Sequence, residues 1–144
     1  MRGLHWFRND LRLQDNRALY DLFQAVDEWC GLFVLEPRLV NIPSVSWKRL
    51  SFLFDCLHEL SNDLGQNGNR LIIIEGPAET QIPKLMHNIS ASVLSFNEGT
   101  TPFSRSRDHS VIYSVGKAGH KVLKRRDHVI FSATDIRSSK GSTY

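Results

Sequence analysis

The sequence lacks the glycine-rich signatures of the common nucleotide-binding enzymes. No Gly-x-Gly-x-x-Gly follows the first predicted strand, and no Gly-x-x-x-x-Gly-Lys-Ser/Thr occurs in its 144 residues. The first pattern places the pyrophosphate of a dinucleotide on a helix N-terminus, and the second cradles the phosphates of a nucleoside triphosphate. Their absence argues against an NAD-dependent dehydrogenase and against a P-loop NTPase.

Cysteine is scarce as well. The two cysteines, Cys30 and Cys56, each lie within an apolar run, so we expect buried structural thiols and no disulfide. No group of cysteine and histidine has the spacing of zinc ligands, so we expect no metal site. This use of cysteine fits a reducing, cytoplasmic compartment.

Long hydrophobic runs and a strong net charge are also missing. No apolar run approaches the roughly 20 residues of a membrane span, and the first residues are too polar for a signal peptide. We therefore expect a soluble protein with no membrane partner. The net charge is +3, and we interpret its basic side chains as a solvated face. The excess comes largely from Lys117, Lys121, Lys124, Arg125, Arg126, Arg137 and Lys140.

What the sequence does contain is a regular alternation of strand and helix. Apolar runs predict strands at residues 3–7, 29–35, 70–74, 93–96 and 121–123. Between them, helices are predicted after Asn16, from Ser46, after Pro77 and from Pro102, while Arg38–Val45 is predicted to be a loop. The second helix carries an apolar stripe that includes Phe54, and Gly65 together with the Asn67-Gly68 pair is predicted to end it.

This alternation predicts an α/β fold. Strands joined by helices form right-handed βαβ units, which assemble into a parallel sheet. We expect a doubly wound, five-stranded parallel sheet of Rossmann-like type, with helices on both faces. Ligands of such sheets bind beyond the carboxyl ends of the strands. The residues to examine therefore follow the strands: Arg8–Arg12, Glu36, Gly76 and Asn97–Thr101.

The segment after the first strand carries a specific motif. Residues 5–16, His-Trp-Phe-Arg-Asn-Asp-Leu-Arg-Leu-Gln-Asp-Asn, strongly resemble the opening motif of the photolyase/cryptochrome family. Leu35-Glu36-Pro37 resembles the end of that family's second strand, and residues 97–108 resemble its block of Asn, Pro-Tyr/Phe and Arg-Asp. The likeness covers essentially the whole chain.

The resemblance implies the N-terminal domain of a deoxyribodipyrimidine photolyase, which repairs DNA in the light. We expect this α/β domain over residues 1–131 and the start of an interdomain linker over 132–144. The domain would bind a light-harvesting antenna, which passes excitation to FAD in a C-terminal helical domain that is absent here. The full-length enzyme would be a light-driven carbon–carbon lyase. Its partners would be its own FAD domain and damaged DNA, and this domain alone is not expected to be catalytic.

The resemblance also implies which residues form the antenna pocket. They are Phe7, Arg8, Asn9, Asp10, Arg12, Leu35, Glu36, Arg49 and Asn97. Many antenna-binding members carry acidic residues two and four positions after the asparagine that matches Asn97, where this chain has Gly99 and Thr101. This departure disfavours a deazaflavin and leaves a folate, another chromophore or an empty pocket.

Two further interpretations stay open. The first is a cryptochrome domain, which belongs to a blue-light receptor and not to an enzyme. The second is a free-standing nucleotide-binding α/β module of the electron-transfer flavoprotein or universal-stress type. The length of the motif at residues 5–16 argues against the second.

Overall fold

The described residues form five strands and five helices, with at least one helix between each strand and the next. The computed structural model describes residues 1–40, 43, 46–127, 129–130, 138 and 141. The elements are β1 (Arg2–Phe7), α1 (Arg17–Ala25), β2 (Glu28–Leu35), α2 (Pro37–Val40), α3 (Trp47–Gln66), β3 (Leu71–Glu75), α4 (Ala78–Asn88), β4 (Val93–Asn97), α5 (Pro102–Lys117) and β5 (Lys121–Arg125). The predicted linker, 132–144, lies outside the described residues except for Ser138 and Gly141. No helix in the described part of the chain is long and apolar enough to cross a membrane.

The five strands form one sheet in the order β3-β2-β1-β4-β5. All four neighbouring pairs are parallel, which confirms the predicted Rossmann-like fold. The chain winds outward from β1 to β3 and then returns to place β4 on the other side of β1. Strand order therefore reverses between β1 and β4, and open α/β sheets bind ligands at the carboxyl edge of such a point.

The two faces of the sheet are covered by different helix pairs. Among the described residues, a cluster of thirteen buried side chains joins the sheet to α4 and α5, and it includes Trp6, Ile82 and Leu94. A second cluster on the opposite face contains Phe7, Leu19, Leu60 and Leu64, from β1, α1 and α3. Successive side chains of a strand alternate between faces, so Trp6 and Phe7 enter different clusters. We call these faces the α4/α5 face and the α1/α3 face.

Side-chain caps fix the beginnings of three helices. The side-chain oxygen of Asn16 accepts from the backbone N–H of Leu19 at 3.2 Å, which caps α1 as the sequence predicts. Ser46 and Thr101 cap α3 and α5 in the same way, and Pro102 occupies the first turn of α5. Each cap satisfies a backbone donor that has no partner inside its helix. These three beginnings all lie at the carboxyl edge of the sheet, because the helices run antiparallel to the strands.

Three local predictions are wrong in whole or in part. Arg38–Val40 is not a loop but the last three residues of α2, whose turn is closed by the Glu36 carbonyl accepting from Leu39 and Val40 at 2.9 and 3.1 Å. The predicted end of α3 is only partly right: Gly65 lies inside the helix, which continues to Gln66, whereas the predicted Asn67-Gly68 pair does end it, with Asn67 as the C-cap and Gly68 left-handed at φ +73°. Phe54 is 50% exposed, because the first half of α3 does not pack closely on the sheet.

The cysteines differ from each other. Both thiols are free, and Cys30 is buried as predicted, whereas Cys56 is only half-buried because it lies on the first half of α3. Burial raises the pKa of the Cys30 thiol above its ordinary value. The Cys30 thiol therefore stays protonated and packs as a small apolar group.

Candidate functional site

A buried polar network closes the carboxyl edge of the sheet at the switch point. Asn97, the last residue of β4, donates from its amide to Asp10 at 2.6 Å and to the side-chain oxygen of Asn16 at 2.8 Å. The Asn97 side-chain oxygen accepts from the backbone N–H of Ala18 at 3.2 Å. All three polar side chains are buried. Because its members satisfy one another, the network holds the loop after β1 rigidly against β4 and the start of α1.

Arg8 extends this brace to α5. Its guanidinium forms an ion pair with Asp108 and donates to the backbone carbonyl of Asn97. The guanidinium carbon also lies 4.7 Å from the ring centre of Trp6 and 5.0 Å from that of Phe96. Asp108 accepts in addition from the backbone N–H of Gly99 at 3.0 Å. The ion pair therefore joins residues 100 positions apart in the sequence.

A second charged cluster lies beyond the end of β2. Arg38 donates to Glu36 at 2.7 and 2.9 Å, and to Glu79 at 3.1 and 2.9 Å. Glu36 also accepts from the backbone N–H of Ala78, in the first turn of α4, at 3.3 Å. Hydrogen bonds to Glu36 and Glu79 raise the pKa of Arg38 above its already high ordinary value. The Glu36 carboxylate is thus already hydrogen-bonded to residues of α2 and α4.

Arg107 connects the two clusters through aromatic rings. Its guanidinium lies 4.9 Å from the ring centre of Trp6 and 5.5 Å from that of Phe103, and Arg38 lies 5.3 Å from Phe103 on its own side. The nearest carboxylate, Asp108, is 3.9 Å from the Arg107 Nε, which has no hydrogen-bond partner among the described residues. Burial, together with the neighbouring charge of Arg8, lowers the pKa of Arg107 to about 10. The carboxyl edge therefore holds a buried cation whose charge is poorly compensated.

A neutral histidine supports the network from the α1/α3 face. His5 in β1 is fully buried, with its Nδ1 2.6 Å from the Ser95 hydroxyl oxygen and its Nε2 3.4 Å from the Asn16 amide nitrogen. Burial lowers the pKa of His5 to about 3, and the positive charge of Arg8 contributes in the same direction. The ring therefore stays uncharged and helps to orient Asn16.

The structure brings together only part of the predicted pocket. Arg8, Asp10 and Asn97 meet in one network, and Glu36 lies in the neighbouring cluster with Arg38. The network and the cluster also contain residues that the sequence did not single out as site residues: Asn16, Arg38, Glu79, Arg107 and Asp108. Of these, Arg107 and Asp108 belong to the Arg-Asp pair that ends the block at residues 97–108, and that pair was their signal in the sequence.

Other predicted residues lie apart from this network. Phe7 is fully buried in the apolar cluster of the α1/α3 face, so it is a core residue and has no surface for a ligand. Arg12 is exposed and forms an ion pair with Asp127. Asn9 and Arg49 are exposed and Leu35 is half-buried. The Arg49 guanidinium has no hydrogen bond or ion pair within the described chain, which leaves it available to a ligand.

Local geometry excludes a side chain at position 99 and gives Thr101 a role as a helix cap. A Cβ atom on Gly99 would lie 2.3 Å from the Cβ of Ser104, so a side chain at position 99 would collide with α5. Thr101 is the cap of α5, and its hydroxyl accepts from the backbone N–H of Ser104 at 3.1 Å. The two positions therefore serve the turn into α5, and neither supplies an acceptor to a pocket.

Two clefts open elsewhere on the described surface. One, of about 620 Å³, lies beside α1 and includes Leu13, Tyr20, Phe23 and Arg125 in its lining. The other, of about 100 Å³, lies between Glu98 and the first turns of α5. No three His, Cys, Asp or Glu residues in the described ranges are grouped to hold a metal ion.

Comparison with known proteins identifies relatives over almost the whole length of the chain. The family model for DNA photolyase matches residues 3–144. A deoxyribodipyrimidine photo-lyase from Synechococcus is 31% identical over 141 residues, which cover 98% of this chain and 29% of that protein. Cryptochrome-1 of Gallus gallus is 30% identical over 139 residues, which cover 96% of this chain and 22% of that protein. The chain thus spans less than a third of the length of these relatives.

Solved photolyase structures superpose on this chain, in agreement with the sequence comparison. An archaeal photolyase from Sulfolobus tokodaii, described with two FAD molecules and a novel light-harvesting cofactor, superposes with a TM-score of 0.87 at 29% identity. The match covers 96% of this chain and 32% of that one. A class III photolyase from Agrobacterium tumefaciens superposes with a TM-score of 0.83 at 23% identity, over 99% of this chain and 29% of that one, and supports the fold alone.

Proposed function

Because this chain belongs to the DNA photolyase family, we propose that it is the N-terminal α/β domain of a light-dependent DNA-repair enzyme, a deoxyribodipyrimidine photolyase. In this proposal the domain binds an antenna chromophore, which transfers excitation to FAD in a C-terminal domain. The domain itself breaks no bond. Its partners are that FAD domain and, through it, damaged DNA. A cytoplasmic location is part of the proposal, supported by the free thiols of Cys30 and Cys56.

The observation that carries this proposal is the position of the motif in the fold. The motif supplies Arg8, Asp10 and Asn16, which brace the carboxyl edge at the point where strand order reverses. That edge is where open α/β sheets bind their ligands. The long matching motif therefore coincides with the place where this fold class offers a binding site.

The residues that remain free at this edge suit an anionic chromophore. Asn9 follows β1, Leu35 ends β2 and Arg49 lies in the first turn of α3, so all three belong to the carboxyl edge. Arg49 offers a cation, Asn9 offers a hydrogen-bonding amide, and Leu35 offers apolar contact. The unpartnered Nε of Arg107 adds a buried donor. We propose that Asn9, Leu35 and Arg49 contact the chromophore, while Arg8, Asp10, Glu36 and Asn97 hold the edge in shape.

Three chromophore classes are candidates. A reduced folate carries carboxylates, and a flavin nucleotide carries phosphates, so either provides an acceptor for Arg49. The two FAD molecules of the Sulfolobus photolyase support the flavin. A deazaflavin is disfavoured, because Gly99 and Thr101 provide no acidic acceptors. When bound, the antenna supplies absorption in the near-ultraviolet or blue, and the protein holds and orients it.

Titration of the purified chain with FAD, a reduced folate and a deazaflavin tests the proposal through chromophore fluorescence. We expect saturable binding of FAD or the folate, weakened about tenfold by Arg49→Ala through loss of one charge-assisted hydrogen bond. Lys48→Ala is the matched control, because Lys48 is the exposed neighbour of Arg49 in the same turn. Absence of saturable binding, or equal losses in the two variants, would contradict the proposal.

A cryptochrome is the second candidate, since cryptochrome-1 sequences are as similar to this chain as the photolyase is, at 30% and 31% identity. The titration reports only on the pocket of this domain, so it does not separate the two candidates. The protein that carries this chain should be illuminated with blue light on dimer-containing DNA. Loss of dimers supports the photolyase, and unchanged dimers support the light receptor.

A further inference from the structure

The charge of the molecule is segregated along the chain. Residues 99–126 contain seven lysines and arginines but one acidic residue, Asp108, which gives this segment a net charge of +6. Residues 1–98 contain nine basic and twelve acidic residues, a net charge of −3, and 127–144 are balanced. The basic segment forms α5 and β5, so it occupies one side of the molecule, at the β5 edge of the sheet.

Four exposed residues of α5 form a stripe that begins and ends with a cation, Arg105 and Lys117. Arg105, His109, Tyr113 and Lys117 follow one another at four-residue intervals, and all four are exposed. Neighbours at this spacing lie side by side on a helix, and the stripe turns by about 120° around α5 between Arg105 and Lys117. The one acidic residue of α5, Asp108, is buried and paired with Arg8, so no carboxylate interrupts the stripe. Exposed Lys121 follows at the beginning of β5.

The charges on this surface differ in how far they are neutralised. Lys124 and Arg126 share Glu98, and Arg125 pairs with Asp21. By contrast, Arg105, Lys117 and Lys121 have no carboxylate partner among the described residues. Lysines on an edge strand also discourage pairing with other chains, which accounts for Lys121 and Lys124. That role does not account for the stripe on α5.

We propose that this surface, formed by Arg105, His109, Tyr113, Lys117 and Lys121, binds the phosphate backbone of a nucleic acid. Four residues of helix rise about 6 Å, so the stripe presents donors at regular steps over about 18 Å. When such groups neutralise phosphates, condensed counterions leave the nucleic acid, and this contribution to binding does not depend on the base sequence. Tyr113, 68% exposed between His109 and Lys117, offers a ring on which an unpaired base can stack.

The composition of the surface favours a nucleic acid over other polyanionic partners. An anionic membrane would require apolar side chains to enter the lipid, and an acidic protein would require an apolar centre to the interface. Among the large exposed hydrophobic residues of the described chain, α5 contributes only Tyr113, and β5 contributes none. The surface is also separate from the proposed antenna contacts Asn9, Leu35 and Arg49, which lie at the ends of β1 and β2 and the start of α3.

The test is fluorescence anisotropy of a labelled oligonucleotide of about 16 nucleotides, single-stranded and as a duplex, at about 50 and 200 mM salt. We expect dissociation constants of about 10⁻⁴ to 10⁻⁶ M that rise with salt. R105E/K117E should weaken binding at least about tenfold and make the salt dependence shallower by about one unit for each phosphate that is no longer neutralised. Tyr113→Ser should weaken binding of the single strand more than that of the duplex.

The matched control is K48E/R70E, which changes the net charge equally through two exposed residues, one in α3 and one immediately before β3. It should bind nearly as the parent does, because charges more than about 10 Å away are largely screened in 0.1 M salt. Circular dichroism establishes that each variant is folded. Equal losses in the two double variants would overturn the proposal. So would absence of binding by the parent at low salt, or equally tight binding of polyglutamate or of anionic lipid vesicles.

Discussion

The two faces of the sheet are packed to very different degrees. On the α4/α5 face, thirteen buried side chains of the described residues form one apolar cluster. On the α1/α3 face, the corresponding cluster has four members, and the strands beneath it carry buried polar groups such as His5 and Ser95. Large side chains on α1 and α3, including Phe23, Trp47 and Phe54, remain about half exposed or more. Both faces belong to one sheet, yet the larger connected cluster of buried apolar side chains lies on the α4/α5 face.

This difference in packing suggests that the α4/α5 face mainly stabilises the fold, whereas the α1/α3 face supports the proposed binding site. The cluster on the α4/α5 face holds 13 of the 22 buried hydrophobic side chains of the described residues, and burial of apolar surface is the main favourable contribution to folding. The helices of the other face begin with Asn16 and with the turn that contains Arg49, at the proposed ligand edge. Regions with few buried apolar contacts open at low free-energy cost, which suits a site that must admit a ligand. Four sets of substitutions would sharpen or break this comparison.

The largest effect should come from equal truncations on the two faces. Leu94→Ala should lower the free energy of unfolding by about 5 kcal/mol, and Leu60→Ala by about 3 kcal/mol. Both leucines are buried, but Leu94 lies in central β4 within the larger cluster, where its neighbours cannot collapse into the cavity. Urea unfolding measures both values. Equal costs, or a larger cost for Leu60, would show that the two faces are equally well packed.

The next effect concerns the polar brace at the carboxyl edge. Asn97→Ala should lower the free energy of unfolding by about 3 kcal/mol, because the Asp10 carboxylate and the Ala18 N–H lose buried partners. Asn88→Ala is the control, since exposed Asn88 ends α4, and it should change stability by less than about 0.5 kcal/mol. Similar values for the two variants, measured in urea, would mean that water replaces the network without loss.

His5 should make the α1/α3 face sensitive to acid. The unfolded chain binds a proton at His5 below its ordinary pKa of 6.5, whereas the folded protein does so only near its pKa of about 3. The contribution of neutral, buried His5 to the free energy of unfolding is therefore complete above pH 6.5. It falls by about 1.4 kcal/mol for each pH unit as the pH decreases toward 3. Urea unfolding at several pH values should show a shallower loss in His5→Asn. An identical slope would place the acid sensitivity elsewhere.

The smallest effect should come from the exposed aromatic side chains of α3. Trp47→Ser and Phe54→Ser should each change the free energy of unfolding by no more than about 0.5 kcal/mol, because the two side chains are 73% and 50% exposed. Thermal or urea unfolding measures the change. A loss above about 1 kcal/mol in either variant would show that the first half of α3 contributes to the core.

The sequence predicts the fold closely, because the fold follows from local patterns. Apolar runs of strand length locate every described strand to within two residues, and the helices predicted after Asn16, from Ser46 and from Pro102 begin within one residue of those positions. The short helix α2 escapes this reasoning, because it has one turn and its closure depends on the Glu36 carbonyl. Apolar periodicity also misplaces Phe54, because a stripe does not reveal where a helix leaves the sheet.

The site is less predictable, because it is made by distant parts of the chain. Arg8 forms an ion pair with Asp108, 100 positions later in the sequence. The Arg107 guanidinium lies over the ring of Trp6, which is also distant in sequence. Only the fold brings these residues together. Phe7 illustrates the opposite case: its place in the motif predicts a ligand contact, whereas the alternation of β1 directs its side chain into the core.

The helix α3 is anchored to the rest of the domain mainly through its second half. The helix has 20 residues and is about 30 Å long, but its buried side chains, Leu57, Leu60 and Leu64, all lie in its second half. Leu64 presses so closely on β2 that a Cβ on Gly31 would lie 3.0 Å from it, which clamps that end. Residues in the first half of α3 can therefore be substituted with little loss in the free energy of unfolding. Selection can therefore change what the edge of this domain holds while the sheet beneath it stays the same.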